Sequence, residues 1–510
     1  MRKIFLFVFF LFAGNSLAQE VRDLRILHWN DFHSRNMPYE VQKKKDGETT
    51  RYYVGGAAGL FGYIKQNMNS NTIKLHGGDE YQGTPISSIT NGFSQIQFLN
   101  VIKPDYMVLG NHDFDYGYWM LDSAINIAQF NTLGGNVLRE NINKPYASLT
   151  GFKVVNDIKI GFLGLSPEEL PTLTLPKNIQ GLRILNTDSV LTEGISALKS
   201  FECDLIVLLS HNGIEYDSII ASKFHKDIDV IVSGHDHKAL SKPKIVNGTL
   251  IVESGWGGRY LGLLDIQVDI DKDTVISYKR ELIETVLDES VTDKDLQAFV
   301  EKMEEAIKPE LQKVIGKLEI DWDKDKNLGQ WQADAFRKKT NSDIAFLNSG
   351  GVRKNLLAGN ITVGDIWEIN PFGNTINLIR VKGSFLKEMI ANHLKKALED
   401  YEKNGYYDYL IVSGLYVEYS GNEMKEGKND FLKSVKADGK EIDDEKIYVI
   451  ATNNYTATQI NKYFGNLSEP ITPEETNIID RDLIIEAVKE AGIINNKYED
   501  RILNIDELKN

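Results

Sequence analysis

Cysteine is nearly missing: Cys203 is the single one in 510 residues. No disulfide can close within the chain, and no cysteine stands near the start to accept a lipid. Positive charge is in deficit as well. Lysine and arginine total 58 against 73 aspartates and glutamates, a formal net charge of −15 at pH 7, which excludes a chain that holds a nucleic-acid polymer by neutralising its phosphates. A small anion can still be held locally through metals or placed arginines. Long apolar runs are absent except at the beginning, where MRKIFLFVFFLFAGNSLAQE has two cations, an apolar run and a small-residue end at Ser16-Leu17-Ala18. That run is too short to span a bilayer comfortably, so residues 1–18 read as a signal peptide cleaved after Ala18. Removing Arg2 and Lys3 with it would leave a net charge of −17. The last residues, RILNIDELKN, are polar and carry no anchor tail. The expectation is an exported protein of the periplasm or medium with no membrane anchor. Internal repeats and low-complexity tracts are also absent.

With 42% hydrophobic and 26% charged residues the chain is ordinary globular material, too long for one compact core, and two domains are expected. From residue 24 to about 270, short β-like apolar runs alternate with helix-like segments: LRILHWND, TIKLHGGDE, YMVLGNHDFD, IGFLGLS, CDLIVLLSHNG and DIDVIVSGHDH. Their continuous, β-branched character predicts strands buried on both faces, as in α/β layers. Residues 293–315 read as a charged helix interrupted by Pro309. A second α/β segment follows, with strand-like DIAFLNSGGVR and IYVIATNNY and a helix at RDLIIEAVKEAG. The division predicted is a catalytic domain over 24–290, a linker helix over 291–315 and a smaller α/β substrate domain over 316–510.

All of the six runs but IGFLGLS end in a polar cluster, and ligands of open α/β sheets gather beyond the carboxyl ends of strands. The clusters hold Asn30, Asp31 and His33; Asp79; Asn111, His112 and Asp115; His211; and His235 and His237. Five of the nine histidines lie there. Taken singly, a histidine after a strand is more often a satisfied loop residue, and Asp-x-His can be a cap or a turn. Together the clusters supply carboxylate, imidazole and amide donors in a mix suited to zinc or manganese. Two cations roughly 3.5–4 Å apart can clamp a phosphoryl transfer, and a bridging carboxylate is needed to hold them so close. Asp79, preceded by Gly77 and Gly78, is the candidate bridge. His28, His76, His225 and His393 lack such company and read as structural or surface residues.

The order Asp-x-His, Gly-Asp, Gly-Asn-His-Asp, Ser-His-Asn and Gly-His-x-His resembles the calcineurin-like metallophosphoesterase superfamily. The longer LHWNDFHSR and GNHDFDYG, with NSGGVR and INPFGN far downstream, are similar to the secreted 5'-nucleotidase family, which also includes UDP-sugar hydrolases and 2',3'-cyclic phosphodiesterases. The resemblance implies layered β-sheets flanked by helices in the N-terminal domain. It implies one metal on Asp31, His33, Asp79 and His237, and a second on Asp79, Asn111, His211 and His235. His112 is implied to face substrate as a protonated imidazole oriented by Asp115, and Asp113 to be structural.

In the resembled family the C-terminal domain stacks the base between two aromatics and holds the phosphate with Arg and Asn side chains. Here those positions fall on Phe372, Tyr455, Asn348 and Arg353. Phe372 and Tyr455 could equally be core aromatics. Two departures stand out: Trp322 replaces a usual arginine, with Lys324 and Lys326 nearby, and QINKYF replaces a Gly-Gly-Asp-Gly turn, with Asn461 at the Asp. The expectation is an exported two-metal phosphohydrolase whose partner is a small nucleotide. The alternatives are a related esterase acting on a nucleotide sugar, a cyclic nucleotide or a sulfur ester, and a metal-retaining binding protein without turnover.

Overall fold

A computed structural model describes residues 20–45, 48–174, 176–371, 373–404 and 410–507. The expected signal peptide and Phe372 lie outside the described residues. The chain divides into two compact units, one running to Gln82 and from Thr90 to Glu301, the other made of Gly83–Ile89 and Lys302–Asn510.

The first unit holds two six-stranded sheets. In one, Val21–Trp29, Thr72–His76, Tyr106–Val108 and Asn131–Leu133 run parallel, with Tyr260–Asp269 antiparallel on the far side of Val21–Trp29. In the other, Ile158–Leu165, Leu205–Ser210, Val230–Ser233 and Thr249–Val252 run parallel. The period of two is strict. Leu24 and Ile26, Ile73 and Leu75, and Tyr106 and Val108 share one core with Ile160 and Phe162, Leu205 and Val207, and Val230 and Val232, so the sheets lie face to face. The intervening residues of the second sheet, Leu163, Leu165, Ile206, Leu208 and Ile231, pack instead against Val190, Leu191, Ile195 and Ile220 of the helices Thr187–Ser200 and Ile214–Phe224. Those strands therefore need apolar residues on both faces.

The helix Lys294–Leu311 is continuous through Pro309, which corrects the interrupted helix read from the sequence. Pro309 falls in the last turn, so any bend it brings is followed by only two helical residues. In the second unit a five-stranded mixed sheet carries Ile344–Asn348 beside and parallel to Ile447–Asn453, covered by helices that include Gly329–Thr340 and Asp480–Ala491. Among the described residues no helix is long and apolar enough to cross a membrane.

Candidate metal centre

The seven donor residues reach one place because their strands are parallel. Val21–Trp29, Thr72–His76 and Tyr106–Val108 are neighbours in one sheet, and Leu205–Ser210 and Val230–Ser233 are neighbours in the other. Each ends just before its donors. Beyond the strand ends, the first two loops stay in register: Asp31 N–H donates to Gly78 O at 2.8 Å and His33 N–H to Asp79 O at 3.1 Å. Asp31, His33, Asp79, His235 and His237 all have positive φ, between 49° and 89°. Such backbone is costly for residues with a Cβ and concentrates at functional sites. Gly78 is required to be bare: at φ 90°, an added Cβ would lie 2.7 Å from His211 Nδ1 and 2.9 Å from Gly110 N.

Asp31, His33 and His237 form one group of converging donors, and Asp79, His211 and His235 a second. In the first, His237 Nε2 lies 3.1 Å from His33 Nε2 and 3.4 Å from Asp31 Oδ1. In the second, His211 Nε2 is 3.1 Å from Asp79 Oδ2, and His235 Nδ1 is 3.1 Å from Asn111 Oδ1. Asp79 Oδ2 is also 4.0 Å from His33 Nε2, so this carboxylate faces both groups.

His211 decides whether the set suits cations. Its Nδ1–H donates to Gly77 O at 2.6 Å, which leaves Nε2 as a bare lone pair. That buried atom has no hydrogen bond of proper geometry, although Asp79 Oδ2 is 3.1 Å away and Asp31 Oδ1 3.7 Å away. Three lone-pair donors buried this close together repel one another unless a cation or proton lies among them. Burial lowers the His211 pKa, but Asp79 and Asp31 push it up to about 10, so without metal a proton takes that place. The residues fit divalent cations.

His112 stands beside the donors without joining either group, its ring 5.3 Å from that of His33. Its Nδ1 is 2.7 Å from Asp115 Oδ2, and its backbone N–H donates to Asp79 Oδ1 at 2.9 Å. Burial works against charge on the imidazole, yet Asp115 and Asp79 raise its pKa to about 9. Asp115 is itself held by Asn178, which donates to its carbonyl at 2.7 Å.

In the second unit, Tyr455 is 41% exposed, which sets it apart from a core aromatic. Arg353 is exposed, one of its N–H groups 3.3 Å from Gly350 O. Asn348 is buried and braced, its Oδ1 accepting from Asn453 Nδ2 at 2.8 Å. Trp322 is not where an arginine could meet a ligand. It is 1% exposed, its ring is 6.0 Å from that of Trp331, and it belongs to the core under Gly329–Thr340. The expectation that this position borders the site is thereby corrected. Nearby, Lys324 pairs with Asp325 at 2.9 Å. QINKYF contributes a short helix, Ile460–Phe464, whose Tyr463 and Phe464 are buried while Asn461 is exposed.

Asp113 has the structural role that the resemblance implies, but its partners and two further features escaped sequence reasoning. Asp113 accepts the backbone N–H groups of Gly110, Asp79, Glu80 and Tyr81 at 2.8 to 3.3 Å, locking two donor loops together. Asn30 donates to Gly255 O and Asp31 Oδ2, both at 2.6 Å, and is a brace. Trp256 is stacked on His237, and its only signal was an indole set between glycines in GWGG.

Residues 24–239 match the family model of the calcineurin-like phosphoesterases, and residues 312–465 that of the 5'-nucleotidase C-terminal domain. The chain is 27% identical over 476 residues to the endonuclease YhcR of Bacillus subtilis (strain 168), covering 86% of this chain but only 37% of that protein. It is also 27% identical over 448 residues to the 5'-nucleotidase of Rattus norvegicus, covering 78% of this chain and 75% of the relative. Among solved structures, the 5'-nucleotidase precursor of Thermus thermophilus is similar in fold, with a TM-score of 0.64 and 24% identity over 94% of this chain and 99% of that one.

Proposed function

We propose that this chain, a member of the 5'-nucleotidase family of metal-dependent phosphomonoester hydrolases, is exported and releases phosphate from nucleoside 5'-monophosphates. The observation that carries the reading is the pairing of two donor groups around Asp79 with His112 set beside them as a charged donor. Asp31, His33, Asp79 and His237 would hold one cation, and Asp79, Asn111, His211 and His235 the other. Zinc or manganese suits these imidazole, carboxylate and amide donors. When bound, two divalent cations supply Lewis-acid polarisation of the phosphoryl oxygens and a lowered pKa for an attacking water.

The protein's own residues do the rest. With only Asp31 and Asp79 charged among the seven donors, the centre keeps a net positive field for a dianionic ester. His112, protonated and aimed by Asp115, donates to an oxygen of the transferring phosphoryl group, where negative charge builds up. In the second domain, Arg353 offers a planar fork for phosphate and Asn348 an amide, while Tyr455 and Phe372 take the base by stacking. The proposed boundaries are 24–290 for catalysis, 291–315 for the linker and 316–510 for substrate.

A second reading, an esterase for another small anion such as a nucleotide sugar, is favoured by the second unit's departure at the exposed Asn461. A substrate panel assayed with added Mn²⁺ or Zn²⁺ separates the two. Fastest turnover on a nucleoside 5'-monophosphate supports the first reading, and inertness toward it while a nucleotide sugar is cleaved overturns it.

A further inference from the structure

The four donor imidazoles are not held alike. His33 and His211 are anchored through Nδ1 to the carbonyls of Tyr81, at 3.2 Å, and Gly77, at 2.6 Å, whereas His235 Nδ1 meets a fellow donor, Asn111 Oδ1, at 3.1 Å. A metal-bound histidine usually has its second ring nitrogen fixed in this way. His237 does not. Among the described residues its polar ring contacts, to His33 at 3.1 Å and Asp31 at 3.4 Å, are both made through Nε2, the nitrogen that faces the other donors. Its side chain is 40% exposed, against 8% for His33 and 0% for His211.

What His237 has is a ring beneath it. Its imidazole and the Trp256 indole are nearly parallel, 16° apart with centroids separated by 5.7 Å. The indole is stacked in turn on Tyr39, at 6.0 Å and 30°. Arg35 lies over both, its guanidinium carbon 5.3 Å from the Trp256 ring and 5.5 Å from that of Tyr39. Among the described residues the Arg35 guanidinium has no acidic partner, so the two aromatic faces are its counterpart. The loop carrying Trp256 is tied to the donors directly, since Gly257 N–H donates to Asp31 O at 2.7 Å.

We propose that Trp256 is a positioning residue of the metal centre: backed by Tyr39 and Arg35, it fixes the ring plane of His237 as backbone carbonyls fix those of His33 and His211. The inference rests on the two-metal reading above. Its consequence is site-specific, because only the cation shared by Asp31, His33 and His237 depends on the stack, whereas the His211 and His235 side does not. Without the indole, the imidazole is free to rotate into solvent.

The test is a calorimetric titration of metal-stripped protein with Mn²⁺ or Zn²⁺, with bound metal counted by elemental analysis. Wild type should take up two cations. Trp256→Ala should retain one with unchanged affinity and bind the other about 10–100-fold more weakly, the usual effect of losing a ligand's support. Trp256→Phe should recover most of the loss, whereas Trp256→Leu, apolar but not aromatic, should not. His237→Ala should lose the same cation, with Trp256→Ala adding nothing in the double variant. Unchanged binding in Trp256→Ala, equal weakening of both cations, or rescue by Leu as complete as by Phe would each overturn the proposal. A wild-type protein that takes up no cation overturns the two-metal reading itself, and the proposal with it.

Discussion

His112 Nδ1 and Asp115 Oδ2 are 2.7 Å apart, within one turn spanning Asn111–Asp115. The contact is a charge-assisted hydrogen bond across i and i+3, and it opposes the burial that would otherwise leave the imidazole neutral. A histidine whose pKa is raised to about 9 is cationic below that value and loses its charge as pH rises through it. Asp115→Asn removes the first of the charges that hold it up. The basic limb of kcat/KM should therefore move to lower pH in the variant, so that the activity ratio to wild type falls between pH 6 and pH 8. Bound cations lower the imidazole pKa in both proteins, which is why the comparison is the quantity to read. Parallel pH profiles would show that Asp115 does not act through the charge of His112.

Removing the imidazole should cost more. His112→Ala is expected to lower kcat by roughly 10²–10³-fold, the effect of deleting one preorganised donor to developing charge, while elemental analysis finds the wild-type metal content. Loss of metal in this variant would make His112 a ligand.

Tyr455 is exposed enough to meet a base. Tyr455→Ala should raise KM for a nucleoside monophosphate by about 5–150-fold, corresponding to roughly 1–3 kcal/mol of stacking, and leave a small aryl phosphate nearly unaffected. Equal losses on both substrates would assign the ring to structure.

The contrast between Tyr455 and Trp322 shows where the sequence was readable. The donors were legible because each follows an apolar, β-branched run, and parallel topology puts such strand ends together. The two-sided strands were legible for the same reason, as runs such as LIVLLS leave no polar face to expose. An aromatic carries no mark of its surroundings: Tyr455 is exposed and Trp322 buried, and only tertiary packing separates them. The amides of Asp79, Glu80 and Tyr81 gathered by Asp113 and the ring stack on His237 were unreadable because their partners lie on different loops. Pro309 was misread as a break in mid-segment because the sequence did not show that the helix ends two residues after it.

Burial of Trp322 reverses the outcome that a missing phosphate contact would give. Trp322→Arg would place a guanidinium in a cavity 1% exposed and lined by apolar groups, where an unpaired charge costs several kcal/mol. The variant should unfold at markedly lower denaturant, or fail to fold, and no gain in KM is expected. A folded variant of wild-type stability with tighter nucleotide binding would place this residue at the site after all.

Asp480, 1% exposed in the second unit, has its pKa raised to about 6 by burial, against the pull of Asn370 and Arg481. In the unfolded chain the group titrates near its ordinary value of about 3.9. Between roughly pH 4 and pH 6 the unfolded state gives up this proton while the folded state keeps it, so its contribution to stability falls as pH rises, by up to ~3 kcal/mol. Asp480→Asn cannot titrate. Denaturant unfolding at pH 4 and pH 7 should show the difference between variant and wild type shifting in favour of the variant at the higher pH. A difference independent of pH would mean that Asp480 is ionised in the folded protein throughout.

The central claim is that the chain hydrolyses nucleotides with two divalent cations held about Asp79. It is tested most directly by stripping the protein with chelator, titrating Mn²⁺ or Zn²⁺ back, and measuring phosphate release from a nucleoside 5'-monophosphate alongside metal content. Release should be near zero in the stripped protein and reach its plateau at about two cations per chain, as expected for a two-metal centre. Equal release from stripped and loaded protein, or a plateau reached with no metal bound, would contradict the account.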